Sequence, residues 1–184
     1  MQIIGGKYKR FPLLAPRGLR TRPTSGQLRE TVFNICQNKI EGAHFLDLFA
    51  GTGAMGLEAL SRGAAHATFV ENNKEVVHKL KQNITFLKEE IHTTVYSVDV
   101  FMALKKLSNQ GAQFDIVYVD PPYEKDLGEQ TLRFFDTHPL LKEGGILFVE
   151  DVFSEIRYDF QTIKLKSERR SGRATLKEYC SARG

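Results

Sequence analysis

The sequence predicts an α/β fold: a mostly parallel sheet with helices on both faces, an antiparallel terminal strand and a short N-terminal extension. Three observations predict it. From His44 onward, short apolar runs alternate with amphipathic helical stretches. A glycine-rich turn, Asp47-Leu48-Phe49-Ala50-Gly51-Thr52-Gly53-Ala54-Met55-Gly56, follows the first of those runs. The last two strand candidates are joined by about eight residues, too few for a helical crossover, so they pair as a hairpin.

Each element follows in order. Short strands are expected around Ile3-Ile4 and from Phe11 to Leu14. Pro12, Pro16, Gly18, Pro23 and Gly26 make the next stretch an extended arm, because proline fixes its own φ and turns its predecessor away from helix. Leu28, Val32, Ile35 and Cys36 fall at helical spacing and predict a helix from Gln27 to Ile40, capped by Thr24 or Ser25. The core then reads as strand Phe45–Phe49, helix Ala54–Ser61, strand Ala67–Val70 and helix Lys74–Leu87. Strand Thr93–Val98, helix Phe101–Leu107, strand Phe114–Val119 and helix Leu127–Thr137 follow. Gly144-Gly145 leads into strand Ile146–Val149, and strands Thr162–Leu165 and Ala174–Tyr179 close the chain around a basic turn. The 184 residues are expected to form one domain, with 1–26 as a basic arm or hairpin and 27–184 as the core.

Charge narrows the partners. The net charge is +4. Lys7, Lys9, Arg10, Arg17, Arg20, Arg22 and Arg29 crowd the first thirty residues against Glu30 alone, and Lys164, Lys166, Arg169, Arg170, Arg173 and Lys177 cluster near the end. Such clusters suit either a solvated face or nucleic-acid phosphates. No apolar run is long enough to cross a membrane, and the start carries no secretory segment, so a cytoplasmic location is expected. Cys36 and Cys180 read as buried thiols in a reducing compartment. The five histidines show no ligand spacing, and the chemistry needs no metal.

Four motifs place chemistry at the strand ends. In the first, glycines let the backbone turn tightly and approach a ligand. Asp47, just before them, would repel a pyrophosphate but suits a cationic ligand such as a sulfonium amino acid; Phe49, Gly51, Thr52 and Gly53 complete that loop. In the second, Glu71 and Asn72 end the next strand, where an acid can accept hydrogen bonds from both ribose hydroxyls. In the third, Asp99 and Val100 follow the third strand; Asp99 can accept from an adenine amine or cap the next helix. The fourth is Asp120-Pro121-Pro122-Tyr123. Two prolines stiffen the turn, carbonyls and a carboxylate offer acceptors, and a tyrosine offers a stacking face, a set suited to a flipped-out base bearing an amine. Acceptors on that amine localise its lone pair and aim it at an electrophilic methyl group.

Together these residues resemble class I methyltransferases of the amino-nitrogen type, with a Rossmann-like fold. Ile3-Ile4-Gly5-Gly6, Leu19-Arg20-Thr21-Arg22-Pro23-Thr24, Leu28-Arg29-Glu30-Thr31-Val32-Phe33-Asn34 and Leu57-Glu58-Ala59-Leu60-Ser61-Arg62-Gly63 extend the match to the bacterial methyltransferase D family of small-subunit ribosomal RNA. The resemblance runs from near the start to about Glu150, and the tail follows it loosely. It implies S-adenosylmethionine as methyl donor and N2 of one guanine in 16S ribosomal RNA, within the small subunit or its precursor, as acceptor. It further implies cofactor contacts at Asp47, Gly51, Glu71 and Asp99, and target-guanine contacts from Asp120 to Tyr123. Lys7, Lys9, Arg10, Arg20, Arg22, Thr24 and Arg29 are the candidate RNA contacts, and the protein is expected to act as a monomer.

Rival readings remain at this stage. The fourth motif also serves adenine-N6 methyltransferases on DNA or RNA, although DNA enzymes usually carry a recognition domain for which the chain has no spare length. Glutamine methyltransferases carry Asn at the Asp120 position. A non-catalytic RNA-binding assembly protein would be expected to have lost the site acids. A nicotinamide oxidoreductase disagrees with Asp47 and with the Asp120 motif.

Overall fold

The computed structural model describes residues 1–16, 26–122, 126–151, 158–171 and 174–182. Their elements are α1 (Gly26–Ile35), β1 (His44–Leu48), α2 (Ala54–Ser61), β2 (His66–Val70), α3 (Lys74–Leu87), β3 (Thr93–Tyr96), α4 (Val100–Asn109), β4 (Phe114–Val119), α5 (Leu127–Thr137), β5 (Leu141–Asp151), β6 (Ile163–Ser171) and β7 (Ala174–Ser181). The strands form one seven-stranded sheet in the order β3-β2-β1-β4-β5-β7-β6. The first five are parallel, β7 runs antiparallel to β5, and β6 is the antiparallel edge. No helix among the described residues is long and apolar enough to cross a membrane.

Alternation along the parallel strands divides the core. Leu46, Leu48, Val117, Val119, Leu147 and Val149 pack against α4 and α5 on one face. Phe45, Ile116, Tyr118, Ile146 and Phe148 point to the other face, beneath α1 and α2. Ala67 and Phe69 pack with α2, α3 and the arm residues Ile3 and Leu13.

The expected helices α2, α3 and α5 and strand β4 have the expected bounds. Elsewhere the ends move for identifiable reasons. Helix α1 stops five residues early: the Lys39 N–H bonds Cys36 O at 2.8 Å, a three-residue step that turns the chain and buries Ile40 and Ala43. Strand β1 stops at Leu48 because Phe49 turns to φ 60. Strand β3 ends at Tyr96, and α4 begins at Val100, where Asp99 caps it. Strand β5 is much longer than expected, because Gly144 (φ 67) sits within it and the register against β4 shifts between Phe114 and Ile116. Strands β6 and β7 also extend, so Lys166, Arg169 and Arg170 join Lys164 on the edge strand rather than lying in a turn. Cys36 is buried and Cys180 half-buried, both as free thiols.

The two expected N-terminal strands reduce to a single bridge, Gln2 to Pro12. Pro12 has no N–H with which to continue the ladder. This tight hairpin docks on the end of α2. The Ile4 N–H bonds Glu58 Oε2 at 2.8 Å, and the Tyr8 N–H bonds Ser61 Oγ at 2.9 Å. Glu89, 1% exposed, takes Lys7 Nζ at 2.6 Å, the Tyr8 hydroxyl at 2.5 Å and His92 Nδ1 at 2.6 Å.

Burial alone would raise the Glu89 carboxyl, but its three partners outweigh burial and hold it below its ordinary value of 4.5. Its contribution to stability is therefore present at neutral pH and is lost as pH falls through that depressed value. Glu89→Gln is expected to cost about 1–3 kcal/mol at pH 7. Urea unfolding at pH 7 and below pH 4 checks this: the gap between wild type and variant should close in acid.

Candidate active site

Parallel strands that start together also end together. Leu48 pairs with both Val70 and Val119, and Val70 pairs with Tyr96. The acids just inside or just beyond those ends, Asp47, Glu71, Asp99 and Asp120, therefore share one edge of the sheet. This is also where the strand order reverses between β1 and β4, the place where open α/β sheets form a crevice.

Asp47 is 2% exposed, and its Oδ2 accepts the Gly56 N–H at 2.9 Å. Burial pushes its carboxyl well up; the Gly56 bond opposes this, while the Asp120 and Glu71 carboxylates add to it. The loop between Asp47 and Gly56 is held in unusual backbone. Phe49 adopts φ 60 without being glycine, and Gly53 sits at φ 85, where an added Cβ would lie 2.4 Å from Leu80 Cδ1. Gly51 (φ 54) faces open space, so its backbone is accessible to a ligand. Thr52 is buried, and its carbonyl accepts from Asn83 Nδ2 at 3.1 Å.

Glu71 stiffens this loop from the neighbouring strand. Its Oε2 accepts the Gly51 N–H at 3.0 Å, and its Oε1 accepts the Asn73 N–H at 2.8 Å. The cap of α3 is Asn73, whose side chain accepts from Glu75 and Val76, so Glu71 is not the capping group. A carboxylate keeps acceptor capacity after two such bonds. Asn72 is exposed. Asp99 does cap its helix: Oδ1 accepts from Phe101 N at 2.9 Å and Met102 N at 3.4 Å, leaving Oδ2 for another donor. Phe49, Val70, Val98, Val100 and Phe101 pack into one apolar cluster beside these acids.

Asp120 is half-buried, Pro121 buried and Pro122 exposed. Gly128, in the first turn of α5, packs beneath: a Cβ there would lie 3.7 Å from Pro121 Cγ and 3.5 Å from Val149 Cγ1. The turn after β4 thus rests on a helix as well as on its own proline rings. Tyr123 lies outside the described residues, as do Arg20, Arg22 and Thr24.

This donor set fits S-adenosylmethionine. The edge is rich in carboxylates, one of them buried with a single backbone donor, and the ligand carries an ammonium and a sulfonium. Asp47 would face that cationic end, Glu71 the ribose hydroxyls and Asp99 the adenine amine, with the apolar cluster behind the ring.

The candidate RNA contacts separate into three groups. Lys9 and Arg10 are exposed on the hairpin, and Lys7 is exposed but paired with Glu89. Arg29 is only 3% exposed, and its Nε and Nη1 have no hydrogen-bond partner among the described residues. Burial lowers its guanidinium pKa, partly offset by Glu58 and Tyr118, so it belongs to the interior and not to the basic face.

Sequence reasoning missed Asn83. This fully buried side chain accepts the Leu14 N–H at 2.8 Å and donates to Leu14 O and Thr52 O, both at 3.1 Å, joining arm and glycine loop. It also missed Glu58 and Glu150, both buried.

A family profile described as conserved hypothetical protein 95 matches residues 1–180. The chain is 35% identical to Ribosomal RNA small subunit methyltransferase D of Escherichia coli (strain K12), covering 97% of this chain and 89% of that protein. It is 35% identical to the YlbH protein of Bacillus subtilis (strain 168), over 82% of each chain. The solved structure of the yhhF methyltransferase from Escherichia coli superposes with a TM-score of 0.86 at 34% identity, covering 98% of this chain and 97% of that one.

Asp47 carries an electrostatic cost that a cationic ligand would relieve. A folded pKa above the unfolded one favours the protonated form, so this group's contribution to stability is lost as pH rises through the raised value. Asp47→Asn retains an acceptor for Gly56 and removes the charge. The ligand-free variant is expected to melt roughly 2–6 °C higher at pH 7.5. It should bind S-adenosylmethionine at least about tenfold more weakly. Scanning and titration calorimetry check the two halves; a destabilised variant with unchanged affinity contradicts this role.

Proposed function

The chain belongs to the family described as conserved hypothetical protein 95, and on that premise we propose that it methylates the exocyclic N2 amine of a guanine in 16S ribosomal RNA, using S-adenosylmethionine. The observation that carries this reading is the convergence of Asp47, Glu71 and Asp99 with the rigid Asp120-Pro121-Pro122 turn on one sheet edge. The relative named Ribosomal RNA small subunit methyltransferase D, similar over 97% of this chain, supports the substrate class.

The cofactor supplies an electrophilic methyl group on sulfur. The chain supplies position and electrostatics. Asp120 and the Pro121 carbonyl accept the amine hydrogens, which draws the nitrogen lone pair out of the ring and aims it along the line of transfer. The N–C bond would form as the methyl–sulfur bond breaks, its electron pair remaining on a neutral thioether, and the nitrogen would give up one proton, for which Asp120 is the adjacent acceptor. Asp47, Glu71 and the glycine loop hold the donor, and Tyr123 is proposed to stack on the target base. Lys9 and Arg10, with Arg20, Arg22 and Thr24, are proposed to meet RNA phosphates. The same reading has the protein act as a cytoplasmic monomer on the small subunit or its precursor, drawing its affinity from a large RNA surface.

The test is methyl transfer from labelled S-adenosylmethionine to small subunits purified from a strain lacking this gene, followed by nucleoside analysis. N2-methylguanosine is expected; N6-methyladenosine would overturn the choice of base. Asp120→Ala should reduce transfer by about 10²–10⁴-fold while leaving cofactor affinity nearly unchanged.

A further inference from the structure

The glycine loop and the N-terminal arm meet at one side chain, Asn83 of α3, which the reaction described above does not use. Asn83 is 0% exposed, and its carbonyl oxygen and both of its N–H groups are engaged. Oδ1 accepts the Leu14 N–H at 2.8 Å, and Nδ2 donates to Leu14 O and to Thr52 O, each at 3.1 Å. These partners fix the orientation of the amide, since turning it over would set its oxygen against two carbonyl oxygens. An amide is planar and rigid, so one group ties the Leu14 and Thr52 carbonyls to each other. Leu80, on the same side of α3 one turn earlier, backs the loop as well: a Cβ on Gly53 would lie 2.4 Å from its Cδ1. Ile3 and Leu13 of the arm pack in the apolar cluster that holds Ala50 and Ala54, on either side of Thr52.

The arm therefore has two states with different consequences for the loop. Docked, it donates the Ile4 N–H to Glu58, the Lys7 and Tyr8 N–H groups to Ser61, and the Leu14 N–H to Asn83. Lifted at Leu14, it strips Asn83 of two of its three bonds in a place sealed from water. The amide must then turn to find other partners, and Thr52 O loses the bond that holds it. A ligand that binds the loop in its held form draws the arm toward the docked state, and the effect is reciprocal.

We propose that Asn83 is a positioning residue that couples docking of the N-terminal arm to cofactor binding in the glycine loop, so that the protein loaded with S-adenosylmethionine holds its arm, with the exposed Lys9 and Arg10, more firmly than the empty protein does. The inference rests on the reading of the glycine loop as the cofactor site. It makes cofactor loading a step that readies the arm, without any contact between the two.

The test is amide hydrogen exchange with and without saturating S-adenosylmethionine, which has no acceptor in this assay. Gly51 and Gly53 report the loop, and Ile4, Lys7, Tyr8 and Leu14 report the docking of the arm. Strands β6 and β7, at the sheet edge far from β1, report global stabilisation. In the wild-type protein the cofactor is expected to slow exchange in the loop, and to slow it in the arm by about tenfold or more relative to β6 and β7. Asn83→Ala removes all three bonds; the cofactor should still protect its loop, but the effect on the arm should fall below about twofold. Leu14→Pro removes only the N–H that Asn83 accepts, on a half-exposed arm residue. It should reduce the effect on the arm in the same direction, and it serves if the first variant does not fold or bind. Wild-type protection of the loop with no more protection of the arm than of β6 and β7 overturns the coupling. Protection of the arm that is undiminished in the variants overturns the role of Asn83. A wild-type loop that the cofactor does not protect overturns the reading of the loop as the cofactor site, and this inference with it.

Discussion

The hydrogen bond from Gly56 N–H to Asp47 Oδ2 sets the geometry on which the site depends. It spans nine residues, from the last turn-facing position of β1 to the first turn of α2, and it lies in the interior. Closing that span forces Phe49 into left-handed backbone and leaves a carboxylate buried near two others. Both features cost free energy. They are held by what surrounds them: every residue of α2 is buried, and β1 is paired on both sides. The loop is therefore pre-formed, and part of its cost is of a kind that a cationic ligand removes.

The same loop is tied to the N-terminal arm. Asn83 links Leu14 to Thr52, Glu58 holds Ile4, and Glu89 gathers Lys7 and Tyr8. Each of these acceptors or amides is buried, where an unpaired polar group is expensive, so the arm cannot lift without exposing or orphaning them. In the proposed reaction the arm carries exposed cations toward RNA. Its attachment through Asn83 means that RNA contact and cofactor loop share one rigid support, rather than two elements joined by a linker.

Much of this was legible in the sequence, for physical reasons that also explain the rest. Helices α2 and α3 and strand β4 declare themselves through apolar spacing bounded by glycine, asparagine or proline, and the acids at their ends stand out against that apolar background. Asn83, Glu58 and Glu89 did not stand out. A polar residue on an amphipathic helix looks like surface until its partner, tens of residues away, is placed. Arg29 did leave a signal: it lies three and four residues before Val32 and Phe33, on the apolar side of α1, which foretells burial rather than a phosphate contact. The bond from Tyr118 to Glu150 needed the pairing of β4 with β5, and register is a property of two strands, not of either sequence alone.

Register also explains how one sheet edge can serve two ligands. From β1 the chain winds outward through β2 and β3, then returns to place β4 and β5 on the other side. Asp47, Glu71 and Asp99 fall on the first side or at the switch, Asp120 and Glu150 on the second. In the proposed reaction Asp47, Glu71 and Asp99 would face a cation and its nucleoside, and Asp120 the amine of a base, across a single crevice. Asp47 and Asp120 end adjacent strands and are close enough for each to bear on the other's charge. The seam between them is where a methyl group passing from one ligand to the other would have to cross, and the acids there favour the positive charge that is shared between sulfur, carbon and nitrogen as it does so.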